Sequence, residues 1–332
     1  MKRAFVLGGF LLASAGLWAQ QTQQVQPSEL RPTGSTALSA EPFMSFGRTQ
    51  CDEGGNLYFR PVAASGRYRD SATVVRLNPK TEWPTLYELS SEVAAEVTPI
   101  EMAVTRSGHV WLLTQNRQSN EYVVVGFNSD GSMAGRIALK TPPGLLAKWF
   151  SVADDGIILI AGYYPDFAPK EVQGEWYLAL FDQSGTLRKA LKHGDLDAVD
   201  LDAASKGPVT GGVAAGNDGN FYVLQRNNIL VVSEWGDVVR RESYLSPAQD
   251  AVAAGILFAD GFLSLEFDHI SQDRSVHQEF LVLYSGTGAV FSWDRLSAEL
   301  AKSVPLCFEG RSGYLFEKVE NHKLELLSVP LR

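Results

Sequence analysis

A tight turn followed by an apolar strand recurs six times in this chain of 332 residues, and a fixed internal repeat dictates architecture more strongly than any single motif. The copies read CDEGGNLYF (51–59), VTRSGHVWLL (104–113), VADDGIILI (152–160), GNDGNFYVL (216–224), LFADGFLSL (257–265) and FEGRSGYLF (308–316). Their turn glycines, Gly55, Gly108, Gly156, Gly219, Gly261 and Gly313, are spaced 53, 48, 63, 42 and 52 residues apart. Asp-Gly at three of these turns predicts two-residue hairpins of the primed type, which need positive φ. Short runs of small and apolar residues precede most turns (IEMAV, KWFSV, GGVAA, AGILF), as suits a strand crowded near an axis.

A second hairpin closes each unit. It reads YVVVGFNSDGSMAGRIAL (122–139), WYLALFDQSGTLRKALKH (176–193), ILVVSEWGDVVRRES (229–243) and FLVLYSGTGAVFSW (280–293). In the first copy, ATVVRLNPKTEWPTLYEL (72–89), the turn is longer. Four antiparallel strands in about 50 residues is the length and strand count of a propeller blade. The expected fold is therefore all-β: a six-bladed β-propeller over 43–332, with blades near 43–90, 98–140, 147–193, 210–245, 252–293 and 303–332. Helical periodicity is nearly absent, with at best one short turn in SAELAKS (297–303). The last unit ends at Arg332 after three strands, so the segment from about Thr22 to Thr33 is expected to supply the outer strand of blade six and leave no open edge at the seam. In the N-terminal segment 20–42, the alternative for the Gln-rich residues 20–27 is a disordered tail.

The repeat, most clearly GNDGNFYVL and VVVGFNSDGSMAG, resembles the NHL-type repeat of six-bladed propellers, over about 43 to 332. The resemblance implies a fold and leaves the activity open, because propellers host binding modules and enzymes alike. Propellers of the gluconolactonase and regucalcin type hold a divalent metal in the central channel with a Glu and Asn/Asp side chains. The matching strands here are SFGRTQC, PIEMAVT, WFSVA, GGVAA, GILFA and PLCFE, in which Glu101 is the one plausible inward carboxylate. No metal or other cofactor is expected on that comparison.

Residues 1–19, MKRAFVLGGFLLASAGLWA, have the basic start, short apolar stretch and small final residue of a secretory signal peptide. They imply export, to a periplasm or to the extracellular space, with no membrane insertion after cleavage. The net charge of -9 falls further once Lys2 and Arg3 are removed, and no basic cluster remains. Such a surface excludes nucleic acid as a partner, since phosphate binding draws on clustered Lys and Arg. Cys51 and Cys307 close the inner strands of blades one and six. An exported protein permits a disulfide between them, but equivalent positions on neighbouring blades tend to point the same way, which favours two buried thiols.

No phosphate loop, dinucleotide fingerprint or GxSxG elbow is present. The five histidines lack metal-ligand spacing, although His269 and His277 share the stretch FDHISQDRSVHQE, read as a polar loop. HGDLDAVDLD (193–202) is acidic without the spacing of a calcium loop. The leading reading is a non-catalytic binding propeller, its protein, peptide or glycan partner held on the face carrying the long loops between strands two and three. That face assigns Arg67, Arg69, Arg117, Tyr163, Tyr164, Arg226, His269 and Arg274 as binding residues, Arg and Tyr being enriched in hot spots. The alternative is a lactonase-like hydrolase or lyase with residues scattered over several blades.

Overall fold

A computed structural model describes residues 28–38, 44–45, 49–62, 72–78, 84–191, 212–225, 228–244, 246, 251–259, 261–270, 276–285, 290–300, 303–308, 313–320 and 323–330. Residues 1–19, expected to be a leader, and the acidic run 193–202 lie outside them. The fold is all-β and propeller-like, built of four-stranded antiparallel blades. The second and third repeats show the unit most plainly: Val97–Val104, Val110–Asn116, Tyr122–Phe127 and Met133–Leu139, then Leu146–Val152, Ile158–Tyr163, Trp176–Phe181 and Leu187–Leu191. Each meanders in chain order. Among the described residues there are five four-stranded sheets, one five-stranded sheet and a two-stranded ribbon of Met44–Ser45 with Pro61–Val62.

Burial explains the composition of the strands. Second and third strands are covered on both faces, so Ile158–Ala161 and Leu178–Phe181 are all buried and read as unbroken apolar runs. Outermost strands are covered on one face and alternate, as in Val238–Ser243. Alternation also sends successive residues of one strand into different cores. Ile158 and Ile160 pack with the second sheet, whereas Leu159 and Ala161 pack with the fourth. Every sheet shares a core with the next in this way, and Leu57, Phe59, Cys307 and Leu326 join the last sheet to the first.

All six turn glycines have positive φ, between 74° and 132°. At Gly261 the expected two-residue hairpin forms, Ala259 pairing with Phe262 across it, but at Gly55, Gly108 and Gly156 the loop is longer. The Gly55 amide donates to the Asp52 carbonyl at 3.1 Å and the Asp52 amide to the Asn56 carbonyl at 3.3 Å, leaving a three-residue loop. Thr105–His109 and Ala153–Ile157 repeat the pattern. In these loops a left-handed glycine closes a three-residue turn as a bulge, so at 155–156 the Asp-Gly signal marks the bulge glycine.

The N-terminal segment 20–42 supplies the outer strand of the last sheet as expected, from later residues than 22–33. Gly34–Leu38 pairs antiparallel with Lys323–Val329 as the outer strand of the last sheet. The expected segment ends before it; within it, Ser28–Leu30 pairs parallel with Val290–Leu296, as a fifth strand of the preceding sheet. Leu30 decides the placement, because it is buried with Phe262, Leu296 and Leu300. The helix Ser91–Glu96 was not expected either. Ser90 caps it by accepting the Val93 amide at 3.4 Å, with Glu92 in the first turn.

Candidate functional site

The first strands of all six repeats converge on one cavity of about 340 Å³. Each contributes to its wall: Gln50 and Cys51, then Glu101, then Trp149 and Ser151, then Ala214, then Ala254 and Ile256, then Phe308. First strands are sheet edges, and their backbone groups need partners other than a neighbouring strand. Gln50 shows one solution. Its Nε2 donates to the Met102 carbonyl at 2.8 Å and its Oε1 accepts the Val104 amide at 2.8 Å, so its amide bridges to the next first strand as a peptide group would.

Glu101 faces the cavity, and its Oε1 accepts the Met102 amide at 3.0 Å. Behind it stands Arg60, fully buried, with Nη1 donating to the Ile100 carbonyl at 2.7 Å. Burial pulls the Arg60 guanidinium down to about 10, and the Glu101 charge acts against that shift. Arg60 is thus cationic at neutral pH and offsets the one carboxylate in the middle of the wall.

At one end of the cavity the turn between the first two strands carries a hydroxyl–carboxylate network. Ser107 Oγ donates to Asp154 Oδ1 at 2.7 Å, the Ser107 amide donates to the same oxygen at 3.1 Å, and Ser107 Oγ lies 2.9 Å from His109 Nδ1. Burial would raise the Asp154 carboxyl, but the Ser107 hydrogen bonds and nearby Arg106 hold it below its ordinary range. Although Ser, His and Asp meet here, the order of contacts is not that of a hydrolytic triad. Asp154 takes the serine proton directly, so the imidazole is not placed to do so. The network ties the second sheet to the third.

Lys148 and Trp149 stand nearer the other end, on the strand Leu146–Val152, whose pairing is offset between Ala147 and Trp149. The Lys148 ammonium lies 5.4 Å from the Trp149 ring centroid and 5.3 Å from that of Tyr163. Trp176 lies 5.6 Å from both aromatic rings. Gly212 lies beside the indole edge. A Cβ there would meet Trp149 Cδ1 at 3.5 Å, and its φ of +107° strains any other residue.

Glu101, expected as a channel carboxylate, lines the cavity, and of the residues expected to bind a partner Tyr163 belongs to this aromatic cluster. Tyr164 is a correction: it is buried and packs edge-on against Tyr177 in the core. His269 is another. It lies in the strand Phe262–Ile270, paired with His277 of Val276–Ser285, because the apolar alternation of FLSLEF continues through FDHI. Arg117 is exposed, with Nε donating to Thr98 Oγ1 at 3.4 Å, away from the cavity. Arg67, Arg69, Arg226 and Arg274 lie outside the described residues. Cys51 and Cys307 are joined in a disulfide with their Cα atoms 5.7 Å apart, contrary to the expectation that neighbouring blades point them alike. The two strands face one another across the joint between the last sheet and the first, which brings the side chains together. Lys148, Trp149, Trp176, Arg60 and Gln50 were missed. The signal for two of them was present in KWFSV, where a Lys-Trp pair interrupts an otherwise small, apolar inner strand.

A channel metal does not fit these side chains. Among the described residues no three His, Cys, Asp or Glu side chains converge, and the central Glu101 is already beside a guanidinium.

No family model and no curated protein matches the chain. Solved structures do. A luciferin-regenerating enzyme aligns with a TM-score of 0.51 at 8% identity, over 90% of this chain and 96% of that one. A calcium-binding regucalcin from Agrobacterium tumefaciens gives 0.47 at 10% identity, over 92% and 96%. A gluconolactonase from Xanthomonas campestris gives 0.48 at 12%, over 91% of each. The solved structures that this chain is similar to thus include propeller proteins of the regucalcin and gluconolactonase type, and the likeness is one of fold.

Proposed function

We propose that the protein is an exported, closed six-bladed propeller that binds a small molecule in its hub cavity. The carrying observation is that the cavity takes a wall residue from each of the six first strands. Ligand pockets of this size, partly apolar with a few convergent polar groups, are the ordinary form of a small-molecule site. The shared core and the disulfide between first and last sheets support ring closure, and a disulfide suits the oxidising compartment that the leader implies. Asp52 and Asp218, each accepting both an asparagine amide and a tyrosine hydroxyl, support kinship with NHL-type units.

A second reading, hydrolysis of a lactone or ester in the same cavity, is favoured by Glu101 and by the fold shared with a luciferin-regenerating enzyme. The two readings separate in one experiment. The mature protein is screened for thermal stabilisation by small carboxylates, sugars, lactones and divalent metals, and any stabilising lactone is assayed for ring opening by wild type and Glu101→Gln. Stabilisation without turnover supports the binder. Turnover lost in Glu101→Gln supports the hydrolase. No stabilisation by any compound at saturating concentration overturns the hub as a site.

A further inference from the structure

We infer that the hub cavity takes a neutral ligand bearing a primary carboxamide or a lactam, whose adjacent N–H and C=O meet the Phe150 carbonyl and the Val152 amide; this rests on the hub being the ligand site. The protein already holds one such group on its wall. The Gln50 side-chain amide accepts the Val104 N–H and donates to the Met102 carbonyl, both at 2.8 Å. The strand ladder leaves those two groups open to it. The Thr105 amide bonds across to His109, and antiparallel bonds fall on alternate residues. Val104 and Met102 therefore turn their main-chain groups away from Val110–Asn116 and toward the axis.

The next first strand repeats this register without the bridge. The Ala153 amide bonds to Ile157, so Val152 and Phe150 turn their main-chain groups inward in the same way. Both residues line the cavity while their side chains pack in the core between the second and third sheets, so it is their main chain that reaches the wall. The residue placed to cover it is Ala103, which precedes Thr105 as Gln50 precedes Asp52, and a methyl group cannot hydrogen-bond. Among the described residues no hydrogen bond reaches the Phe150 carbonyl or the Val152 amide. A ligand entering the hub displaces water from both, and loses affinity unless it returns a donor and an acceptor. Charge favours a neutral group. Glu101 lies beside Arg60, Glu53 pairs with Arg106 at 3.4 Å, and Asp154 and Lys148 are of opposite sign, so the site holds no excess. A carboxylate would in addition set a second acceptor against the Phe150 carbonyl.

The test uses calorimetry on the mature protein with 3,4-dihydro-2-quinolinone, its N-methyl derivative and 2-tetralone, a ketone with a methylene in place of the N–H. A second pair is 3-phenylpropanamide and 3-phenylpropionate. The lactam and the primary amide should each bind about tenfold more tightly than their counterparts, because the others strand the Phe150 carbonyl. The lactam should slow hydrogen exchange at the Val152 amide. Val152→Pro removes a donor that the ladder does not use, and should weaken lactam and ketone alike. Equal binding of lactam, N-methyl lactam and ketone, tighter binding of the acid than of its amide, unchanged exchange at Val152, or no binding of the lactam would each overturn the inference. So would unchanged binding in a folded Val152→Pro; if that variant does not fold, the exchange measurement on the wild type decides. Ala254→Trp, which fills the cavity from its wall, separates this failure from failure of the hub reading. If all the compounds bind equally and Ala254→Trp blocks them, only amide recognition is lost. If binding survives Ala254→Trp, the hub is not the site. Melting curves of each variant confirm folding.

Discussion

Reducing the Cys51–Cys307 disulfide tests how the ring is held shut. The bond links the first strand of the first sheet to the first strand of the last across a sequence separation of 256 residues. Restricting an unfolded loop of that length is worth about 5.5 kcal/mol in the chain-entropy treatment, near the top of the range observed for disulfides. The joint has two other supports: the shared core of Leu57, Phe59, Val75 and Leu326, and the pairing of Gly34–Leu38 with Lys323–Val329. The fold should therefore survive reduction but lose stability. Urea unfolding of the oxidised protein, the reduced protein and Cys51→Ala/Cys307→Ala should show midpoints falling in that order. The reduced protein isolates the cross-link, since both sulfurs remain; the double variant adds the loss of two packed side chains, one of them fully buried. A loss under about 1 kcal/mol on reduction would refute the reasoning, because the bond would then constrain nothing that the cores and strand pairing do not already hold. Labelling of both cysteines by a thiol reagent in the native, unreduced protein would refute the bond itself.

Further outcomes follow from the buried tyrosines, the aspartate turns and Arg60. Burial, with help from Asp52 or Asp218 at Tyr58, Tyr87 and Tyr222, raises the phenols of Tyr58, Tyr87, Tyr122, Tyr164, Tyr177 and Tyr222. A raised folded pKa contributes stability that is complete below the unfolded value near 10 and is lost as pH rises beyond it. Ultraviolet titration should accordingly leave these six un-ionised at pH 10, and urea midpoints should begin to fall from that pH upward. Tyr222→Phe removes a 2.8 Å hydrogen bond to Asp218 and should lower stability by about 1 kcal/mol, with the Tyr58→Phe variant similar; no change in either would deny the turn its role as a lock. Arg60→Met should cost about 3 kcal/mol by stranding Glu101 and the Ile100 carbonyl. The Arg60→Met/Glu101→Gln double variant should recover part of that loss, and purely additive effects would show that the two charges do not interact.

The repeat was legible because it is local. Glycines at 55, 108, 156, 219, 261 and 313 mark left-handed positions, and runs such as IILI or FYVL mark strands covered on both faces; both features act within a few residues. Turn type divides, a two-residue hairpin at Gly261 and a bulged three-residue loop at Gly156, because Asp-Gly suits both and the choice lies in the pairing register. Loop lengths were overestimated for a related reason. FDHISQDRSVHQE is polar enough for a loop, yet its ends continue the ladder of FLSLEF and EFLVLYS.

The cavity residues were harder to reach. Lys148, Trp149, Tyr163 and Trp176 come from three strands and meet because pairing sets Tyr163 opposite Trp176 and an offset turns Trp149 toward Gly212. Arg60 reads as one more polar residue after a strand; only the packing of the second sheet over it makes it a buried countercharge to Glu101.

By itself, then, the sequence determined the repeated four-stranded unit and the covering of its strands, since backbone conformation and side-chain alternation are local properties. The tertiary structure decided which edges the N-terminal strands join, that Cys51 and Cys307 bond, and which charges in the hub cancel. Those outcomes depend on distances between residues far apart in the chain, and such distances are fixed only when the sheets pack around a common axis.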